Sequence, residues 1–205
     1  LYDSGKYWDT GDMSYEVELK AHVHDQAKMK CRLDALNGVS APLCEIKEDV
    51  YYCTPGEDAL FRLRRESIGP SFSALSGQLV FTRKYKTLKD GIEVNQELEF
   101  TASDSQFENA YAFCLSLGYE VHIRKTKRGY AYSYQVSDDL PLLHLELVEV
   151  PPLGWFLEME FILEEEKKVP IARTFLMEML HRLGLDQADI ESRYYTHLLK
   201  AQSIG

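Results

Sequence analysis

Six short segments of the chain repeat one pattern, in which charged residues stand at i, i+2 beside or between large apolar ones. In Tyr15-Glu16-Val17-Glu18-Leu19-Lys20 the apolar residues fall on one face and Glu16, Glu18 and Lys20 on the other, because strand side chains change face at every residue. Phe61-Arg62-Leu63-Arg64 does the same with Arg62 and Arg64, and the segment from Phe81 does it with Lys84 and Lys86. Glu97 pairs with Glu99, Lys125 with Lys127, and Glu158 with Glu160. One such segment is an ordinary half-buried strand. Six are harder to reconcile with solvated faces, which mix Ser, Thr, Gln and Lys; here whole faces are cationic or anionic. If the strands close into a barrel with the apolar side outward under helices, the charges line the lumen. Charges enclosed in that way must pair with one another or bind a ligand.

The ligand that suits such a lumen is a polyanion accompanied by divalent cations. Arg and Lys hold phosphates, and glutamates bind Mg²⁺ or Mn²⁺, hard ions that bridge to phosphate oxygens. A nucleic-acid groove fits poorly, because the cations interleave with glutamates and the net charge is −10. No Gly-x-x-x-x-Gly-Lys-Ser/Thr, Gly-x-Gly-x-x-Gly or Gly-x-Ser-x-Gly motif occurs, which argues against a P-loop, a dinucleotide fold or a serine-hydrolase elbow. Cys31, Cys44, Cys53 and Cys114 match no zinc template. With no secretion signal, they read as reduced thiols of a cytoplasmic protein, and no stretch approaches the length of a membrane helix. His22 and His24 share a strand face, a pair that reads more simply as a strand end than as a metal site.

Residues 1–12 carry no periodicity, and Met13 is followed at once by a strand, so 1–12 is expected to be a leader or loose tail and 13–205 a single domain. Strands are expected at 15–22, 44–53, 60–66, 78–86, 92–101, 119–126, 129–136, 142–149 and 155–164, with a hairpin through Lys89-Asp90-Gly91. Helices are expected at 25–37, capped by Asp25; at 105–117, capped by Ser103 or Asp104; at 171–183, opened by Pro170; and at about 187–200. The fold class is α+β, dominated by antiparallel sheet.

At these residues the sequence resembles the CYTH domains, the triphosphate tunnel metalloenzymes that include class IV adenylyl cyclases, thiamine triphosphatases and inorganic triphosphatases. Glu16-x-Glu18-x-Lys20 looks like the opening signature of that family. The order of the later motifs strengthens the likeness: FRLRRE at 61–66, Lys84, Glu97 and Glu99, LGYE at 117–120, KTKRGY at 125–130 and LGWFLEME at 153–160. The ending RYYTHLL at 193–199 and the opening YEVELK are similar to the class IV cyclase branch.

The resemblance implies an eight-stranded antiparallel barrel whose lumen is a triphosphate tunnel, with helices packed outside. It implies that Lys20, Arg62, Arg64, Lys84, Lys125 and Lys127 hold the triphosphate. Glu16, Glu18, Glu158 and Glu160 would hold one or two Mg²⁺ or Mn²⁺ ions, with Glu18, Glu158 and Glu160 as the metal set, while Glu97 and Glu99 extend the acidic wall. The partner is a small-molecule triphosphate, ATP or a polyphosphate. The implied activity is adenylyl cyclase, ATP to cyclic AMP and pyrophosphate, with a triphosphatase or a non-catalytic binding protein as alternatives. Val148 stands where the family often has Asp, and Glu146 shares its strand face. Arg128 and Lys86 are alternative basic ligands beside Lys127 and Lys84. The outer helices can cover the barrel or form a homodimer face. Glu158→Ala and Arg62→Ala are each expected to abolish activity while leaving the fold intact.

Overall fold

The computed structural model describes residues 15–89, 92–136 and 140–203, so the expected leader at 1–12 and the turn residues Asp90 and Gly91 lie outside the described residues. The strands are β1 (Tyr15–Val23), β2 (Leu43–Cys53), β3 (Phe61–Ser71), β4 (Ala74–Lys89), β5 (Ile92–Ser103), β6 (Glu120–Tyr134), β7 (Leu143–Val150) and β8 (Gly154–Leu163). They form a closed antiparallel barrel in the order β1-β5-β4-β3-β2-β6-β7-β8. Four helices accompany it: α1 (Gln26–Asp34), α2 (Phe107–Ser116), α3 (Val169–Arg182) and α4 (Tyr195–Ser203). Among the described residues no helix is long and apolar enough to cross a membrane.

Alternation decides what each face meets. Val17, Leu19 and Ala21 of β1 join Leu143, Leu145 and Leu147 of β7 and Leu157, Met159 and Phe161 of β8 outside the barrel. Met29 and Leu33 of α1 and Leu176, Met179 and Leu180 of α3 close over them. A second cluster forms where Cys114 of α2 packs on Val50, Tyr52, Leu63 and Leu79. The outer face of β4 and β5 is less covered: Phe100 stacks on Phe81 at 4.4 Å yet is 63% exposed.

Several elements differ from their expected bounds. The segments 119–126 and 129–136 are one strand, β6. Gly129 does not break it; a Cβ there would lie 2.0 Å from the Leu147 carbonyl oxygen, so glycine lets β6 and β7 approach. The strand expected at 60–66 runs on to Ser71 and returns as β4 from Ala74. Helix α1 ends at Asp34, earlier than expected, while Asp25 caps it as expected, accepting from the Lys28 amide. The last helix is divided. Gln187–Asp189 forms a short 3-10 turn, Ile190 bridges to Ala21 of β1, and α4 begins only at Tyr195. The Glu191 amide donates to the Lys20 carbonyl at 2.9 Å, so this segment is spent on pairing with β1 before α4 can start.

Candidate triphosphate tunnel

The charged faces of all eight strands turn inward around a cavity of about 420 Å³. Glu16, Glu18, Lys20, Arg62, Arg64, Lys84, Glu97, Glu99, Lys125, Lys127, Glu146, Glu158 and Glu160, the residues singled out in the sequence, all line it. Register explains this. Glu18 stands opposite Glu160, Lys20 opposite Glu158, Arg62 opposite Thr82, Lys84 opposite Glu97, and Glu146 opposite Glu158. Alternation puts Lys127, and not Arg128, in the lumen: Lys127 is buried there, while Arg128 is exposed and lies over the Phe72 ring at 4.3 Å. The Lys86 side chain lies outside the described residues. His22 and His24 face Glu191 at 3.2 Å and Asp189 at 3.5 Å, contacts that tie β1 to the segment before α4.

The sequence reading missed one whole wall. Glu45, Lys47, Asp49 and Tyr51 alternate inward along β2, and Glu66 joins them from β3. Asp49 is buried and accepts from Arg64 Nε at 2.6 Å and Nη2 at 3.1 Å, with Lys125 Nζ at 3.0 Å. Burial alone would raise its carboxyl, but Arg64 and then Lys125 hold it well below the usual range. The spacing of Glu45, Lys47 and Asp49 was the available signal, since it repeats the i, i+2 rule of the other strands.

Lys47 is shared among Glu45 at 3.0 Å, Glu66 at 3.4 Å and Glu146. Burial, and then the Glu146 carboxylate, raise Glu45 to about 7. In the unfolded chain a glutamate ionises near pH 4.3, about where the folded Glu45 still keeps its proton. The folded state therefore binds more protons than the unfolded chain between about pH 4.5 and 7. This contribution is full below that window and falls as pH rises through it, by up to about 3 kcal/mol. Thermal denaturation at about pH 5 and about pH 7.5 checks it: Glu45→Gln is expected to flatten that part of the stability profile.

The end of the tunnel beside α4 is organised around Tyr195. Its hydroxyl donates to Glu158 Oε1 at 2.5 Å, and Lys127 binds the other oxygen of Glu158. Lys20, Lys125 and Lys127 place their ammonium groups 4.4, 4.8 and 5.4 Å from the Tyr195 ring centre, a cation–π arrangement. Lys20 also donates to the Arg193 carbonyl at 2.7 Å. Val148, Val150, Phe156 and Leu198 pack with Tyr195 into an apolar plug. Val148 thus belongs to that plug, while Glu146 on the same strand face is bound by Lys47.

On the acidic side Lys84 compensates the glutamates only in part. Burial, and then Glu16 and Glu18, raise Glu160 well above the usual carboxylate range, although Lys84 opposes this. Lys84 pairs with Glu16 at 2.7 Å and with Glu97. Carboxylates that resist joint ionisation are the donor chemistry a hard divalent cation relieves. Among the described residues, however, no group of three or more His, Cys, Asp or Glu is placed to hold a metal as the side chains stand. Of the expected set, Glu158 is bound by Lys127 and Tyr195 as the side chains stand.

The chain matches the CYTH domain over residues 14–195. No curated protein matches it. Among solved structures it is similar to the PH1819 protein of Pyrococcus horikoshii, at 24% identity, covering 91% of this chain and 99% of that one with a TM-score of 0.73. It is similar to a candidate adenylate cyclase of Vibrio parahaemolyticus, at 20% identity, 91% and 98% coverage and a TM-score of 0.70. The third is HpAC1 of Hippeastrum, a candidate adenylyl cyclase with a dominant triphosphatase activity, at 13% identity, 93% and 96% coverage and a TM-score of 0.63. At these identities the likeness is one of fold.

Proposed function

The chain belongs to the CYTH domain family, and we propose that it is a divalent-metal-dependent enzyme that binds a triphosphate in this tunnel and acts as a class IV-type adenylyl cyclase. The observation that carries the reading is the interleaving of Arg62, Arg64, Lys84, Lys125 and Lys127 with a glutamate wall around one cavity. Phosphoryl and nucleotidyl transfer depend on positioning and charge neutralisation more than on covalent help from the protein. Arg62, Arg64 and Lys125 neutralise the phosphate chain, and Lys84 and Lys127 flank it. Lys20 and Tyr195 fix its inner end.

The family uses divalent metals. Here Glu18, Glu158 and Glu160 would hold Mg²⁺ or Mn²⁺, which supplies positive charge at the attacked phosphorus and favours ionisation of the attacking oxygen. Glu16 stands beside that set and pairs with Lys84, so it tunes the charge there. In the cyclase reaction the ribose 3′-hydroxyl gives up its proton to water and its oxygen forms a bond to the α-phosphorus, the bond from that phosphorus to the β-phosphate bridging oxygen breaks, and pyrophosphate leaves.

Product analysis of the purified protein with ATP, and separately with tripolyphosphate, each with Mg²⁺ or Mn²⁺, tests this. Cyclic AMP with equimolar pyrophosphate is the expected result. Orthophosphate from tripolyphosphate without cyclic AMP would overturn the cyclase assignment in favour of a phosphohydrolase. Binding with no product from either would make the protein a sensor.

A further inference from the structure

Glu158, one of the three carboxylates placed above in the metal set, already holds two donors. The Tyr195 hydroxyl donates to one of its oxygens at 2.5 Å, and Lys127 binds the other. Both bonds draw strength from the full negative charge of the carboxylate. A phenol hydroxyl has one proton to give. While Glu158 takes it, none is left for a phosphate oxygen.

The surroundings pin the ring and leave its hydroxyl proton free to turn. Phe156 meets Tyr195 edge-on, with ring centres 5.0 Å apart and planes at 88°, and Val148, Val150 and Leu198 pack beside it. Lys127 has a further counter-ion in Glu146, at 3.6 Å. Lys20 and Lys125 reach the same ring, with their ammonium groups 4.4 and 4.8 Å from its centre. Three lysines therefore gather at this end of the tunnel, and the Glu158 charge offsets part of theirs. With that charge drawn off by a cation, the same three lysines and the hydroxyl form a site for an anion.

We propose that Tyr195 is a latch on Glu158: when Glu158 turns to a divalent cation, the Tyr195 hydroxyl and Lys127 pass from it to the innermost phosphate. This rests on the reading of the tunnel as a metal-dependent triphosphate site and adds to it an order, in which cation loading builds the inner phosphate contact. Tyr195 is then a positioning residue whose contribution depends on the cation. Without the cation its hydroxyl is spent on Glu158 and adds nothing to phosphate binding. With the cation it is a phosphate donor. The coupling is reciprocal, so the phosphate chain tightens cation binding by the same factor. A plain ligand contact would act with or without the cation, and a packing residue would weaken both ligands on removal.

Tyr195→Phe removes the hydroxyl and keeps the ring. Three calorimetric titrations compare it with the wild type: Mn²⁺ alone, a methylene-bridged tripolyphosphate analogue with EDTA, and the same analogue with saturating Mn²⁺. The variant is expected to bind Mn²⁺ alone about fivefold more tightly, because Glu158 no longer has a hydroxyl to release. Without metal the analogue should bind both proteins within about twofold, and with Mn²⁺ it should bind the variant about tenfold more weakly. Equal weakening of the analogue with and without Mn²⁺, or a Mn²⁺ affinity that is unchanged or lower in the variant, overturns the latch and leaves the tunnel reading standing. Failure of the wild type to bind either Mn²⁺ or the analogue removes the tunnel reading, and this inference with it. If Tyr195→Phe does not fold, Glu158→Gln carries the comparison. It keeps the side-chain volume without the charge, so the analogue with EDTA should bind it about fivefold more tightly than the wild type, and an unchanged affinity overturns the latch.

Discussion

Glu158→Ala is expected to abolish turnover and also to lower the melting temperature by about 10 °C. Its carboxylate is 7% exposed, accepts from Tyr195 at 2.5 Å and is bound by Lys127. Burial is the largest influence and pushes it upward, yet Lys127, by charge and hydrogen bond, and Lys125 together keep it below the usual range. Removing it leaves the buried Lys127 without its nearest counter-ion and Tyr195 without an acceptor, with Lys20 and Lys125 close by. Breaking one side of a buried pair costs about 3–5 kcal/mol, and in a chain of this size each kcal/mol moves the midpoint by about 2–4 °C. The sequence alone pointed to loss of activity with an intact fold; the Tyr195 and Lys127 contacts revise that. Glu158→Gln keeps an acceptor for Tyr195 and the side-chain volume, so its midpoint is expected to fall less while turnover is still lost. Thermal denaturation beside product assays separates the two effects.

Asp49→Asn is expected to destabilise the ligand-free protein by about 3 kcal/mol, in line with the loss of one side of a buried ion pair. Arg64 and Lys125 both converge on this carboxylate within 3.0 Å. The carboxyl of Asp49 is depressed, so its contribution is present above its unfolded value near pH 3.9 and is lost only as pH falls through the much lower folded value. That is the opposite sense to Glu45. If Arg64 and Lys125 also hold phosphate, saturating tripolyphosphate should raise the melting midpoint more in Asp49→Asn than in the wild type, because a ligand that binds only the folded state stabilises it and here also replaces the missing charge. Equal midpoint shifts would separate these two cations from the phosphate chain.

The barrel was legible because its inward charges alternate with apolar residues that have nothing to do but pack outward. Tyr15-Glu16-Val17-Glu18-Leu19-Lys20 states both faces at once, and β8 does the same through Glu158 and Glu160. The β2 wall was harder to read because Glu48 interrupts it. Lys47-Glu48-Asp49 places charge on both faces, and only the closed barrel shows that Glu48 is exposed while Lys47 and Asp49 are buried. The gap expected between 126 and 129 does not exist in β6, and the close approach of β7 that glycine at 129 admits is a tertiary fact. Tyr195 was hidden for a different reason. The helical pattern over 187–200 does not show that residues 190–193 pair against β1 and so turn one tyrosine of α4 into the barrel end. The glutamates read as one metal set, and nothing in their spacing shows that Glu158 also binds Lys127 and Tyr195.

The central claim is that the tunnel cations hold a triphosphate. Calorimetric titration of ATP and of tripolyphosphate, with Mg²⁺, into the wild type and into Arg62→Ala tests it most directly. Arg62 lines the cavity, keeps one buried donor without a partner and spends another on the Thr82 hydroxyl, so its loss removes a ligand contact without breaking a hydrogen bond to a carboxylate. Saturable binding of one ligand per chain, weakened at least about tenfold in Arg62→Ala, is the expected result, since a charge-assisted bond to phosphate contributes about 1.5–3 kcal/mol. Absence of binding to the wild type, or equal affinity in the variant, would contradict the account.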